Sequence, residues 1–137
     1  MQDQYKVEQG LYYTKDHLWV KIDENTAVIG ISDYGQAQLG DVVFVELPEV
    51  EKEVESGEKV ASVESIKAVV DVFSPLTGKI TSINEDLKDD PSLINTDPYG
   101  DGWIYEMQMS DPTEVEDLMT SEDYQAYLDE LLAEEEE

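Results

Sequence analysis

Apolar residues recur at every second position over much of this chain, and the spacing changes to three and four only near its end. Residues 11–13, 18–22 and 26–31 read as strands, with Asp23-Glu24-Asn25 as the turn between the last two. Ser32 or Asp33 then offers an N-cap for a short helix over 34–39, which Gly40 closes. The next strand spans 41–47, and Pro48 ends it because proline cannot donate to a ladder. Residues 49–56 are acidic and loop-like. Two β-branched runs, 60–64 and 69–73, follow between Gly57 and Gly78 and form a hairpin. Its bend lacks the Asn-Gly or Gly-rich chemistry that a tight hairpin prefers.

Residues 79–83 give another strand, and 84–101, heavy in Asp, Asn and Pro, read as loop or short helix. From 103 to 109 the alternation puts Trp103, Tyr105, Met107 and Met109 on one face. Asp111-Pro112 with Glu114 opens a helix carrying Val115, Leu118 and Met119 on one side. A second helix, capped by Thr120 or Ser121, places Tyr124, Tyr127, Leu128, Leu131 and Leu132 in a stripe that packs back on the strands. The pattern predicts a loosely held segment over 1–9, a β domain over 10–110, and C-terminal helices over 111–137 with a frayed acidic end. The fold class is mainly β, with a short internal helix and a C-terminal helical segment.

Composition narrows the function. The 137 residues suit one domain with a modest core. There is no cysteine, which excludes disulfides and thiolate metal sites. The opening residues lack the pattern of a secretory signal, and no apolar run approaches a membrane span, so a cytoplasmic protein is expected. Net charge is -26, and all eight basic residues are lysines. Such a surface disfavours nucleic acid and anionic membranes, and it steers toward basic faces of protein partners. Solubility, or adaptation to a saline cytoplasm, explains the same charge equally well.

The candidate chemistry lies at Lys67, in the middle of the hairpin bend. One reading is an ordinary solvated lysine that blunts a sheet edge. The other starts from the small and apolar neighbours, which supply no adjacent acid: an isolated amine on a rigid β scaffold is what covalent attachment of a cofactor by an amide requires. His17 is the only histidine, and no nucleophile elbow accompanies it. Residues 95–106 fall partly at calcium-loop positions, but Tyr99 and Pro98 stand where ligands and a flexible turn would be needed. No phosphate loop is present.

Val63-Glu64-Ser65-Ile66-Lys67-Ala68, followed by Phe73-Ser74-Pro75-Leu76-Thr77-Gly78, resembles the lipoyl-attachment hairpin of the glycine cleavage H-protein family. Tyr13 to Trp19, Gly30 to Val43, Pro91 to Asn95 and Asp97 to Trp103 resemble further segments of that family, in its order. The resemblance implies a lipoyl-domain-like barrel-sandwich hybrid of two packed antiparallel sheets, and lipoate bound covalently to Lys67. It also implies a non-catalytic carrier whose partners are glycine decarboxylase, aminomethyltransferase, dihydrolipoyl dehydrogenase and a lipoate ligase or lipoyl transferase. A monomer is expected.

The same resemblance assigns Glu64, Ser65 and Ala68 to the attachment context, although Glu64 and Ser65 read equally well as solvated strand residues. Gly57 and Gly78 are expected to serve the hairpin arms through positive φ. Asp71, Asp16 and His17 are expected around a cleft for the loaded arm. Family members are similar in placing an acid just before the Trp of the His-x-Trp segment; Leu18 stands there in this chain, a departure that Asp16 compensates only if the stretch is a regular strand. Biotin carriers flank their lysine with methionines, whereas Ile66 and Ala68 flank Lys67. Two other readings remain: an H-like lipoyl carrier for another pathway, such as lipoyl relay to 2-oxoacid dehydrogenases or sulfur metabolism, and an unmodified acidic interaction module.

Overall fold

A computed structural model of the chain describes residues 5–135. Strands β1 (Tyr12–Tyr13), β2 (Leu18–Asp23) and β3 (Thr26–Ile31) lead into helix α1 (Asp33–Leu39). Ser32 caps that helix by accepting from the Gly35 N–H, and Gly40 ends it at φ +80°. Then come β4 (Val42–Glu46), β5 (Glu53–Val54), β6 (Lys59–Ser65), β7 (Val69–Phe73) and β8 (Gly78–Ile83). Two one-turn helices, α2 (Asp86–Asp89) and α3 (Leu93–Thr96), precede β9 (Tyr105–Met109). A 3-10 turn (Pro112–Asp117), β10 (Met119–Thr120) and helix α4 (Ser121–Glu135) complete the described chain.

The strands form two antiparallel sheets, in the orders β10-β1-β2-β3-β9-β8-β5 and β4-β6-β7. Their apolar faces meet in one core, to which Val20, Ile29 and Met107 come from the larger sheet and Val45, Val63 and Val72 from the smaller. A second, aromatic cluster lies on the other side of the larger sheet, where α4 lays Tyr124 and Leu128 against Tyr13 and Trp19. The stripe expected on the C-terminal helix therefore packs on the sheet: Tyr127, Leu131 and Leu132 are half-buried against the same cluster.

Several local expectations differ from the structure. Tyr5 to Gln9, expected to be loosely held, are anchored: the Lys6 N–H donates to Asp33 at 2.8 Å, Tyr99 donates to the Lys6 carbonyl at 2.7 Å, and Tyr5 packs edge-on against Tyr34. Residues 1–4 lie outside the described residues, as do 136 and 137 of the expected frayed end. Trp103 leaves the alternation: Ile104 and Tyr105 both enter the main core, while Trp103 turns to the aromatic cluster. Asp111 caps a 3-10 turn rather than an α-helix, and Met119 belongs to β10, paired with Tyr13. The Asp16 to Leu18 stretch is no regular strand, because His17 sits at φ +70° in a turn where Thr14 accepts from the N–H groups of Asp16, His17 and Leu18.

Candidate functional site

The hairpin β6–β7 presents Lys67 at its tip, exposed. The tip closes without glycine because Ser65 does the work of a turn residue. Its buried hydroxyl accepts from the N–H groups of Lys67 at 3.3 Å and Ala68 at 3.2 Å, and its own N–H reaches the Ala68 carbonyl at 2.8 Å. The Ile66 N–H donates to the Asp41 carbonyl at 3.0 Å, which ties the tip to the entry of β4. Neither Ile66 nor Lys67 needs a positive φ. The lysine is thus held at a defined place by backbone bonds, with its amine left over.

Five lysines, at 6, 52, 59, 79 and 88, form ion pairs among the described residues; Lys67 does not. Its stem lies across Gly40, where an added Cβ would stand 3.4 Å from the Lys67 Cε and 4.0 Å from the Nζ. Asn95 fixes that floor: its amide donates to the Gly40 carbonyl at 2.9 Å, and its oxygen accepts from the Val42 N–H at 2.9 Å. Nothing in the sequence marks Gly40 as a neighbour of Lys67, since it reads simply as a helix C-cap.

A cleft of about 550 Å³ begins one residue beyond the lysine, at Ala68, and runs between β7, α1 and the turn before β2. Leu18, Ile31, Leu39 and Val72, all buried, line its inner part. Val69, Val70 and Phe73 of β7 form one exposed apolar wall. Ionisable groups also border the cleft: Lys15 and Asp16 are exposed, and Asp71 is 3.4 Å from Lys59.

The expected cleft residues Asp16, His17 and Asp71 therefore all border this space, but His17 is engaged elsewhere. Its Nδ1 lies 2.8 Å from the Tyr124 hydroxyl, which is 2.7 Å from the Ser32 Oγ, and its ring is tilted against Tyr34 and stacks near Tyr127. Burial holds its pKa below the ordinary histidine value, with the Asp16 charge opposing weakly. The hydroxyl of Ser32 also accepts from the Gly35 N–H, so Tyr124 links the ring of His17 to the cap of α1.

The two glycines have different reasons. Gly57 has φ +91°. Gly78 has no positive φ, contrary to expectation; a Cβ there would meet the Gln108 carbonyl oxygen at 2.1 Å, so the close approach of β8 to β9 demands glycine. Glu64 is exposed on β6, and Ala68 closes the turn. Among the described residues no acid, histidine and cysteine cluster could hold a metal ion.

The family model described as Glycine cleavage H-protein matches residues 11–131. A glycine cleavage system H protein 4 of Aquifex aeolicus is 53% identical over 135 residues, 98% of this chain and 79% of that protein. The glycine cleavage system H protein of Thermotoga maritima is 53% identical over 115 residues, 84% of this chain and 93% of that protein. The crystal structure of a glycine cleavage system H protein from Mycobacterium marinum superposes with a TM-score of 0.80 at 36% identity, over 88% of this chain and 98% of that one.

Proposed function

Since this chain belongs to the glycine cleavage H-protein family, a family of non-catalytic lipoyl carriers, we propose that it carries lipoate in amide linkage on Lys67 and serves glycine cleavage. The observation that carries this reading is an exposed amine, free of any ion pair among the described residues, fixed at a hairpin tip by backbone bonds and set beside an apolar cleft. The residues fit the group: the cleft has room for a dithiolane and a floor of aliphatic side chains to receive it. Lys67 would hold the group in amide linkage, and when bound lipoate would supply a disulfide able to be reduced as it accepts the aminomethyl group of glycine and, after the carbon has gone to tetrahydrofolate with release of ammonia, a dithiol for dihydrolipoyl dehydrogenase to reoxidise.

The chain's own part is placement. Ser65 and the Asp41 carbonyl set the direction in which the Lys67 stem leaves the sheet. Gly40 gives that stem a smooth floor, and β7 gives the neighbouring cleft a wall. A lipoate ligase or lipoyl transferase reads the tip, with Glu64 and the exposed Ile66 and Val69 as its nearest handles. Tethering replaces diffusion with a local search by each partner. No described helix is long and apolar enough to cross a membrane; the proposed site of action is the cytoplasm, as a monomer.

The test is the intact mass of the protein purified from its own organism, with any added mass mapped by peptide sequencing. One lipoyl group on Lys67, absent from a Lys67→Arg variant, is expected. A free Lys67 in cells that lipoylate other proteins would overturn the reading.

A further inference from the structure

On the face of the larger sheet turned away from the main core, Lys21, Val28 and Glu106 stand side by side on β2, β3 and β9, each directly opposite the next. At the usual strand spacing the backbones of Lys21 and Glu106 are about 10 Å apart, with Val28 between them. All three border a pocket of about 300 Å³, whose remaining lining is Trp19, Tyr99, Gly100 and Trp103. The polar ends of two of those aromatic walls are already engaged. The Trp19 indole N–H donates to the Pro98 carbonyl at 2.8 Å, and the Tyr99 hydroxyl donates to the Lys6 carbonyl while accepting from the Asp33 N–H. The charged groups are not: neither the exposed Lys21 nor the half-buried Glu106 enters an ion pair among the described residues.

A cation and an anion held apart across an apolar floor suit a molecule that bears both charges. A simple anion would meet the Glu106 carboxylate and the field of a chain with net charge -26, and a simple cation would meet the Lys21 ammonium. An amino acid in its zwitterionic form satisfies both groups with charge-assisted hydrogen bonds. Apolar and aromatic walls around a few placed polar groups are also the usual make-up of a small-molecule site. The ring faces accept an apolar side chain and attract an ammonium.

We propose that this pocket binds a free α-amino acid with an apolar side chain, its carboxylate on Lys21, its ammonium on Glu106 and its side chain against Tyr99 and Trp103. The site lies on a different face from the Lys67 cleft and does not depend on modification of that lysine.

The chain has two tryptophans, and both line this pocket, so intrinsic fluorescence reports on it. The full-length protein is titrated with L-leucine, with 3-methylbutylamine, which lacks the carboxylate, and with 4-methylpentanoate, which lacks the ammonium. Leucine is expected to give a saturable change, and each analogue to bind about tenfold more weakly or worse. Lys21→Met and Glu106→Gln are each expected to weaken leucine binding about tenfold, whereas Lys88→Met, which removes the same charge away from the pocket, leaves it unchanged. The analogue comparison uses the unaltered chain, so it decides the matter even if a substitution unfolds the sheet. No saturable change with leucine, an analogue that binds as well as leucine, or a Lys88→Met effect equal to that of Lys21→Met overturns the inference, and each leaves the lipoyl reading as it stands.

Discussion

Ser65 supplies with one hydroxyl what a glycine-rich turn would supply with its backbone, accepting from the N–H groups of Lys67 and Ala68. Ser65→Ala is expected to cost about 1–2 kcal/mol, seen as a lower denaturant midpoint, while Ser65→Thr keeps most of it. Gly78→Ala is expected to cost about 1–3 kcal/mol or to part β8 from β9, since its Cβ would enter the Gln108 carbonyl. His17 titrates below the ordinary value of about 6.5 because burial disfavours its charged form. The unfolded chain then binds the proton first as pH falls. The contribution of His17 to stability is full above about 6.5 and declines from there toward its folded pKa. The single imidazole resonance in a proton NMR titration checks the direction, and a midpoint at or above 6.5 contradicts it. At this scale the place of Lys67 at a hairpin bend was legible from the two β-branched runs around it, whereas the residues alone left a solvated lysine as good a reading, and the family resemblance singled it out. The reason for Gly78 was not, because a glycine wanted for positive φ and one wanted for a close backbone approach look alike in a sequence.

Helix α4 reaches the residues that border the cleft through Tyr124 and Tyr127. The Tyr124 hydroxyl sits between His17 and Ser32, so the C-terminal element is bonded both to the turn that borders the cleft and to the cap of α1. Tyr124→Phe takes the hydroxyl partner from the nitrogen of His17 and leaves Ser32 with its Gly35 bond alone, and is expected to lower stability by about 1–3 kcal/mol in chemical denaturation, with the fold retained. The α4 stripe at Tyr124, Tyr127, Leu128, Leu131 and Leu132 was readable from its spacing, as were the long strands from their alternation. β5 and β10, two residues each, hold too few positions to show a period. Trp103 misled the alternation because the peptide after it enters the ladder: the Ile104 N–H bonds to the Ile29 carbonyl, so the run of one face starts only at Tyr105.

Over the whole molecule, 34 acids against eight lysines make like-charge repulsion a general load on the folded state. Raising ionic strength from about 0.01 M to about 1 M shortens the screening length roughly tenfold and is expected to raise the thermal midpoint. Over the same range, association with a partner through a basic face should slow, as stopped-flow mixing would record. The two-sheet architecture was readable from the strand pattern and the family resemblance together. The order of strands was not, because the outermost pairing of the larger sheet joins Tyr12 and Tyr13 to Thr120 and Met119, far apart in the chain. That closure also orders events in time. During synthesis the β6–β7 hairpin depends on near neighbours and can form within about microseconds of leaving the ribosome. The β10 edge of the larger sheet must wait for residues 119 and 120, and pairing of such distant segments belongs to the slow, millisecond-to-second class. A growing chain therefore displays its lysine before α4, and with it the Tyr124 brace on the cleft, has been translated.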